Sequence, residues 1–182
     1  MLGDASPYYC FHPEAVERIA ERFPEARLIL LVREPVARAW SHYNYEKTLE
    51  RETRSFREAI DLEEDRVSNG DGEHSAEYCH RHFAYRARGH YAEQVERVLQ
   101  SFPREQLLVL ESEKLFSQPQ AAMDDVFEFC GLAPYVGDFT ETTKGNSYKG
   151  IDPEVRAELD RYFSPRNDAL EALLERPFWV DE

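Results

Sequence analysis

The sequence lacks any apolar run approaching 18 residues, so it holds no candidate membrane-spanning helix. Its first twenty residues lack the basic start and apolar core of a secretory leader and carry Asp4, Pro13, Glu14 and Glu17 instead. Cysteine is scarce. Cys10, Cys79 and Cys130 are odd in number and widely spread, which excludes a disulfide scaffold and points to a reducing, cytoplasmic setting. No pair of them has zinc-site spacing, and Cys79-His80-Arg81-His82 has no fourth ligand nearby, so no metal is expected. Basic residues are in deficit. Twenty-two Lys and Arg against 36 Asp and Glu give a net charge of −14, a balance that repels nucleic acid. Neither nucleic acid nor membrane is expected as a partner, and an anionic ligand must bind at a confined cluster of Arg, Lys and backbone N–H groups. There is no internal repeat, no low-complexity tract and no Gly-rich dinucleotide fingerprint.

What remains is a globular composition, 42% hydrophobic and 13% aromatic over 182 residues, enough for one domain spanning 1–182. Apolar periodicity predicts a helix over 13–23, with Ala15, Ile19, Ala20 and Phe23 on one stripe. Residues 26–32 are a short continuous apolar run, read as a strand buried on both faces. A helix follows at once from Pro35 to about Leu49, and another over 54–64 with Phe56 and Ile60 inward. Residues 65–78 read as a polar loop. A long amphipathic helix is expected over 80–101, with Phe83, Tyr91, Val95 and Leu99 inward, then a second buried strand at 106–110. Further helices are expected at about 119–130, 152–163 and 165–175, with a Gly-containing loop over 137–151. Two apolar strands separated by helices imply a parallel α/β sheet. Two strands cannot cover themselves, so the sheet reads as incomplete at its N-terminal side. The rest must come from a preceding strand and helix or from another chain.

Arg33 ends the first strand, where ligands bind in open α/β sheets, and Ser41 lies eight residues on inside the next helix. A guanidinium and a hydroxyl so placed suit a phosphate, although spacing alone favours Arg33 pairing with a surface carboxylate and Ser41 packing within the helix. The stretch Lys144-Gly145-Asn146-Ser147-Tyr148-Lys149-Gly150 gathers two cations and two glycines in an acidic chain; it suits an anion or a solvated turn. Gly89 within a helix costs about 1 kcal/mol against Ala, which points to a close approach by a ligand or by another helix. His42 reads as a residue that packs or bonds locally.

The segment VREPVARAWSHY, residues 32–43, resembles the 3′-phosphate-binding motif of sulfotransferases that use 3′-phosphoadenosine 5′-phosphosulfate. The approach SPYYCFHPEAVERIAERFPEARLILLVREP, the middle stretch ARGHYAEQVERVLQSFPREQLLVLESEKLFSQP and the ending RYFSPRNDALEALL are similar to the heparan-sulfate-like and bacterial branches of that family. The resemblance implies a P-loop-like parallel sheet flanked by helices. It also implies transfer of a sulfuryl group to a hydroxyl or amine acceptor, a small molecule or carbohydrate. By the same resemblance Arg33 and Ser41 hold the 3′-phosphate, Lys144 and Gly145 close a loop over it, and Arg88, Gly89 and Tyr91 border the acceptor cleft. The family's phosphosulfate loop, with its Lys, and its acidic base have no match here; Met1 to Pro7 correspond to a segment beyond them. On that ground the chain is expected to hold the C-terminal portion of such a domain, to be inactive alone, and to self-associate through an open sheet edge. A non-catalytic nucleotide-binding or interaction module is the alternative. A P-loop kinase is disfavoured by the missing Gly-rich Lys-Ser/Thr loop.

Overall fold

The computed structural model describes residues 2–139 and 150–179. The elements run α1 (Ala15–Arg22), β1 (Leu28–Val32), α2 (Pro35–Thr48), α3 (Phe56–Asp61), α4 (Glu63–Asn69), α5 (Ala76–His82), α6 (Tyr91–Ser101), β2 (Leu107–Glu111), α7 (Ser112–Ser117), α8 (Pro119–Cys130) and α9 (Pro153–Leu174), with short 3-10 turns at Ala87–Gly89 and Arg104–Gln106. Among the described residues the chain divides into two compact units. One holds 2–33, 92–139 and 175–179; the other holds 34–91 and 150–174.

The first unit carries the sheet. β1 and β2 pair in parallel, with Leu28 opposite Leu107 and Val32 opposite Glu111. Gln106 helps set that register, its Nε2 donating to the carbonyls of Pro24 at 2.9 Å and Ala26 at 2.7 Å just before β1. α7 and α8 lie against β2. At the end of the chain, Arg176 donates to the Val109 carbonyl at 2.9 Å and pairs with Glu111 at 3.2 Å. The fold is α/β with a parallel sheet, as the apolar runs imply. Burial on both faces does not hold for β1. Leu30 and Val32 are buried, whereas Ile29 and Leu31, on the opposite face, are 43% and 48% exposed.

The second unit is helical. Its core gathers Val36, Ala39 and Tyr43 of α2, Phe56 and Ile60 of α3, Cys79 of α5, Phe83 and Tyr85, and Val155, Leu159 and Phe163 of α9. Three expected elements differ here. The polar stretch 65–78 is mostly helical, since α4 reaches Asn69 and α5 starts at Ala76. Arg66, which hydropathy places outside, is buried against Glu52 at 2.6 Å and Asp71 at 3.3 Å. The helix expected over 80–101 is broken between His82 and Tyr91, because the buried Glu63 carboxylate takes the N–H groups of Arg86 and Ala87 at 2.7 and 2.8 Å. Further along α6, Val98 rather than Leu99 is the buried residue. Finally, 152–163 and 165–175 form one helix. Pro165 cannot donate to the carbonyl of Arg161, yet Phe163 before it and Leu170 and Leu174 after it are all buried, and that burial carries α9 through.

Candidate functional site

Arg33 follows the last residue of β1 and is exposed; Ser41 stands half-buried in the second turn of α2. They fall in different units, one on each side of the division at Arg33–Glu34. Lys144 and Gly145 lie outside the described residues. Arg88 is half-buried and donates to the Arg81 carbonyl, Gly89 closes the 3-10 turn, and Tyr91, first residue of α6, is buried. Gly89 is therefore not inside a helix. A Cβ built there would lie 2.7 Å from Phe163 Cε1 and 3.3 Å from Pro35 Cβ, so its bare Cα serves the close approach of α9 and α2.

Sequence reasoning missed Glu34. It stands between Arg33 and Pro35, and its carboxylate accepts from Val36 N at 2.9 Å and Ala37 N at 2.8 Å, capping α2. Arg156 of α9 approaches the same carboxylate at 3.4 Å. The α2 N-terminus thus already holds an anion, so a phosphate here relies on side chains rather than on that helix end. The Glu-Pro pair opening a helix was the available signal.

Deeper in the second unit, His42 is largely buried edge-on to Tyr85, with Nε2 3.6 Å from Glu46 and Nδ1 without a hydrogen-bond partner. Burial lowers its pKa to about 4; the Glu46 hydrogen bond opposes this, and the Arg38 and Arg88 charges add to it. At neutral pH it is an uncharged packing residue. Burial alone would raise the Glu46 carboxyl, but the bonds and charges of His42 and His82 bring it below its ordinary value. Glu52 accepts from Arg66 at 2.6 Å, from the Tyr85 hydroxyl at 3.0 Å and from Arg54 N at 3.1 Å. Burial raises the Glu63 carboxyl even though the Arg86 and Ala87 N–H groups pull the other way. Arg38 donates to the Tyr85 carbonyl. No cluster among the described residues gathers three or more His, Cys, Asp or Glu able to hold a metal, and none of their helices is long and apolar enough to cross a membrane.

β1 thus runs through Arg33-Glu34 directly into the Ser-bearing α2. A family model described as "Sulfotransferase family" matches residues 2–136. The chain belongs to the sulfotransferase family. Among solved structures, a sulfotransferase from Alicyclobacillus acidocaldarius superposes with a TM-score of 0.82 at 34% identity, over 97% of this chain and 65% of that one. Among curated relatives, the mouse (Mus musculus) bifunctional heparan sulfate N-deacetylase/N-sulfotransferase 3 is 28% identical over 98% of this chain and 23% of its own. Human (Homo sapiens) heparan sulfate glucosamine 3-O-sulfotransferase 5 is 26% identical over 90% of this chain and 52% of its own. The family chain described here therefore spans between about a quarter and a half of these curated relatives. The family match takes in Arg33, Ser41, Arg88, Gly89 and Tyr91 and ends before Lys144.

Proposed function

We propose that this chain takes part in transferring a sulfuryl group from 3′-phosphoadenosine 5′-phosphosulfate to a hydroxyl or amine acceptor. The observation that carries the reading is Arg33, at the carboxyl end of β1, leading through Glu34-Pro35 into the Ser-bearing α2 within the family match. In that chemistry the acceptor oxygen or nitrogen attacks sulfur in line. The bond between sulfur and the bridging phosphate oxygen breaks, the acceptor's proton passes to a base, and adenosine 3′,5′-bisphosphate leaves. Arg33 supplies a two-pronged donor to the 3′-phosphate and Ser41 a hydroxyl. Lys144 and Gly145 close over the nucleotide, while Arg88, Gly89 and Tyr91 border the acceptor. We assign neither the base nor the cation at the leaving phosphate to a residue of this chain.

The nucleotide is the only co-substrate in this reading, with no metal. The acceptor is a carbohydrate or another small molecule, and two relatives, both heparan sulfate sulfotransferases by name, favour a carbohydrate. Three free thiols support a cytoplasmic setting. The uncovered face at Ile29 and Leu31 supports self-association. Calorimetry with adenosine 3′,5′-bisphosphate tests the nucleotide reading. The parent chain binds it and Arg33→Ala weakens binding by about 2–3 kcal/mol; equal affinity of the two overturns the assignment.

A further inference from the structure

The first turn of α9 carries a cation where a helix disfavours one. Arg156 is the fourth residue of α9, beside the positive end of the helix dipole, where an acidic residue is the favourable choice. Two carboxylates offset that cost. Asp160, one turn on, accepts from Arg156 Nε with both oxygens, at 2.9 and 3.1 Å. Glu34, just ahead of α2, has its Oε2 3.4 Å from Arg156 Nη1. α2 and α9 share one core, which holds Val36, Ala39, Val155, Leu159 and Phe163, so buried packing sets the reach between the two side chains.

Glu34 is itself in an unexpected place. Each of its carboxylate oxygens takes one N–H, from Val36 and from Ala37, and so caps α2. Yet it follows Arg33 directly in the chain, and the helix it caps carries Ser41. A phosphate on those two residues meets a carboxylate whose side chain is only 25% exposed, so water screens the repulsion poorly. A neutral Asn or Ser caps a helix as well and brings no charge. With a carboxylate in the cap, a phosphate needs a compensating cation, and Arg156 brings one from a separate element.

We propose that Arg156 is a positioning residue for the nucleotide: it neutralises Glu34, so that the carboxylate caps α2 without repelling a phosphate held by Arg33 and Ser41. The proposal rests on the sulfuryl-transfer reading for that phosphate, and adds a residue of α9 that acts through Glu34 rather than on the nucleotide. Calorimetry with adenosine 3′,5′-bisphosphate on the parent and three variants tests it. Arg156→Met leaves Glu34 uncompensated and weakens binding about three- to fivefold, the size of a partly exposed ion-pair effect. Asp160, released by the same change, is 48% exposed and a turn further along α9, so water screens it. Arg156→Lys keeps the charge and stays within about twofold of the parent. Glu34→Gln added to Arg156→Met removes the stranded charge while its amide oxygen still accepts from α2, and affinity returns to within about twofold of the parent. A merely structural pair behaves differently, because losing the second partner does not restore what losing the first one took. Adenosine 5′-monophosphate, which has no 3′-phosphate, binds all four proteins alike. Parent affinity in Arg156→Met, an equal loss in Arg156→Lys, no recovery on adding Glu34→Gln, or the same loss for the monophosphate overturns the proposal and leaves the sulfuryl-transfer reading standing. A parent chain that does not bind the bisphosphate overturns both.

Discussion

Acidification should weaken this fold through His42, and the structure sets the window. The imidazole is largely buried edge-on to Tyr85, has one orphaned nitrogen, and feels the Arg38 and Arg88 guanidiniums, with only Glu46 at 3.6 Å favouring its charge. Its pKa in the fold is about 4 against the ordinary 6.5. Below 6.5 the unfolded chain takes a proton that the folded chain refuses, so stability falls as pH drops from 6.5 to about 4 and the loss then levels off for this group. The gap is worth about 3 kcal/mol, a large share of a typical domain's stability. Urea unfolding of the parent and of His42→Gln at pH 7, 5.5 and 4.5 isolates it, since the amide still donates to Glu46 but does not titrate. The parent loses stability more steeply than the variant across that window. Glu46, held below its ordinary value against burial, chiefly by His42 and then by His82, adds an acid loss only at the lower end of the window. Parallel curves for the two proteins would refute the assignment of the loss to His42.

Gly89→Ala places a methyl group 2.7 Å from buried Phe163, and urea midpoints should show a loss of about 1–3 kcal/mol with no change in overall helicity. Arg66→Met strands the buried Glu52 carboxylate and should cost about 3–5 kcal/mol by the same assay; adding Glu52→Leu should recover most of it. Arg33→Ala should lower affinity for adenosine 3′,5′-bisphosphate and leave that for adenosine 5′-monophosphate, which has no 3′-phosphate, unchanged by calorimetry. Ile29→Ser with Leu31→Ser should reduce self-association in sedimentation, because those side chains form the uncovered face of β1.

The strands were legible from the continuous hydrophobicity of 26–32 and 106–110, but the burial that run implies on both faces was not met in β1. The existence of α1 and α8 was legible from their bounding Pro and Gly residues, but the inward face of α1 was not: Val16 is its buried residue, whereas Phe23, assigned to the stripe, is 62% exposed. Legibility fails where a charged residue does core work. Arg66 and Glu63 sit at positions a hydropathy reading assigns to solvent, and both are buried, so the loop assigned to 65–78 and the continuous helix over 80–101 were misread. Pro165 misleads in the opposite direction, because a strong local breaker is overridden by burial on both sides of it. At the candidate site the Arg33–Ser41 spacing was readable. The capping role of Glu34 was not drawn from it, since an acidic residue beside an expected phosphate ligand looks like a conflict until the α2 N–H groups are seen to take it.

The buried carboxylates of the second unit share a further property. Glu46 contacts His82 at 3.4 Å, Glu52 takes the Tyr85 hydroxyl at 3.0 Å, and Glu63 takes the backbone of Arg86 and Ala87. All three therefore bear on residues 82–87, the segment that leads into Arg88, Gly89 and Tyr91. Buried ion pairs are poor sources of net stability, because desolvation offsets most of their attraction. Apolar contacts tolerate a slide of a few tenths of an ångström, whereas a buried carboxylate holding two backbone donors loses one if either shifts. Glu63 on the backbone, with Glu46 and Glu52 on the His82 and Tyr85 side chains, holds that segment in one irregular path, which a continuous helix from α5 into α6 would abolish. The polar core of this unit is best understood as fixing where Arg88 and Gly89 stand, with the aromatic packing of Phe83, Tyr85 and Phe163 carrying the stability.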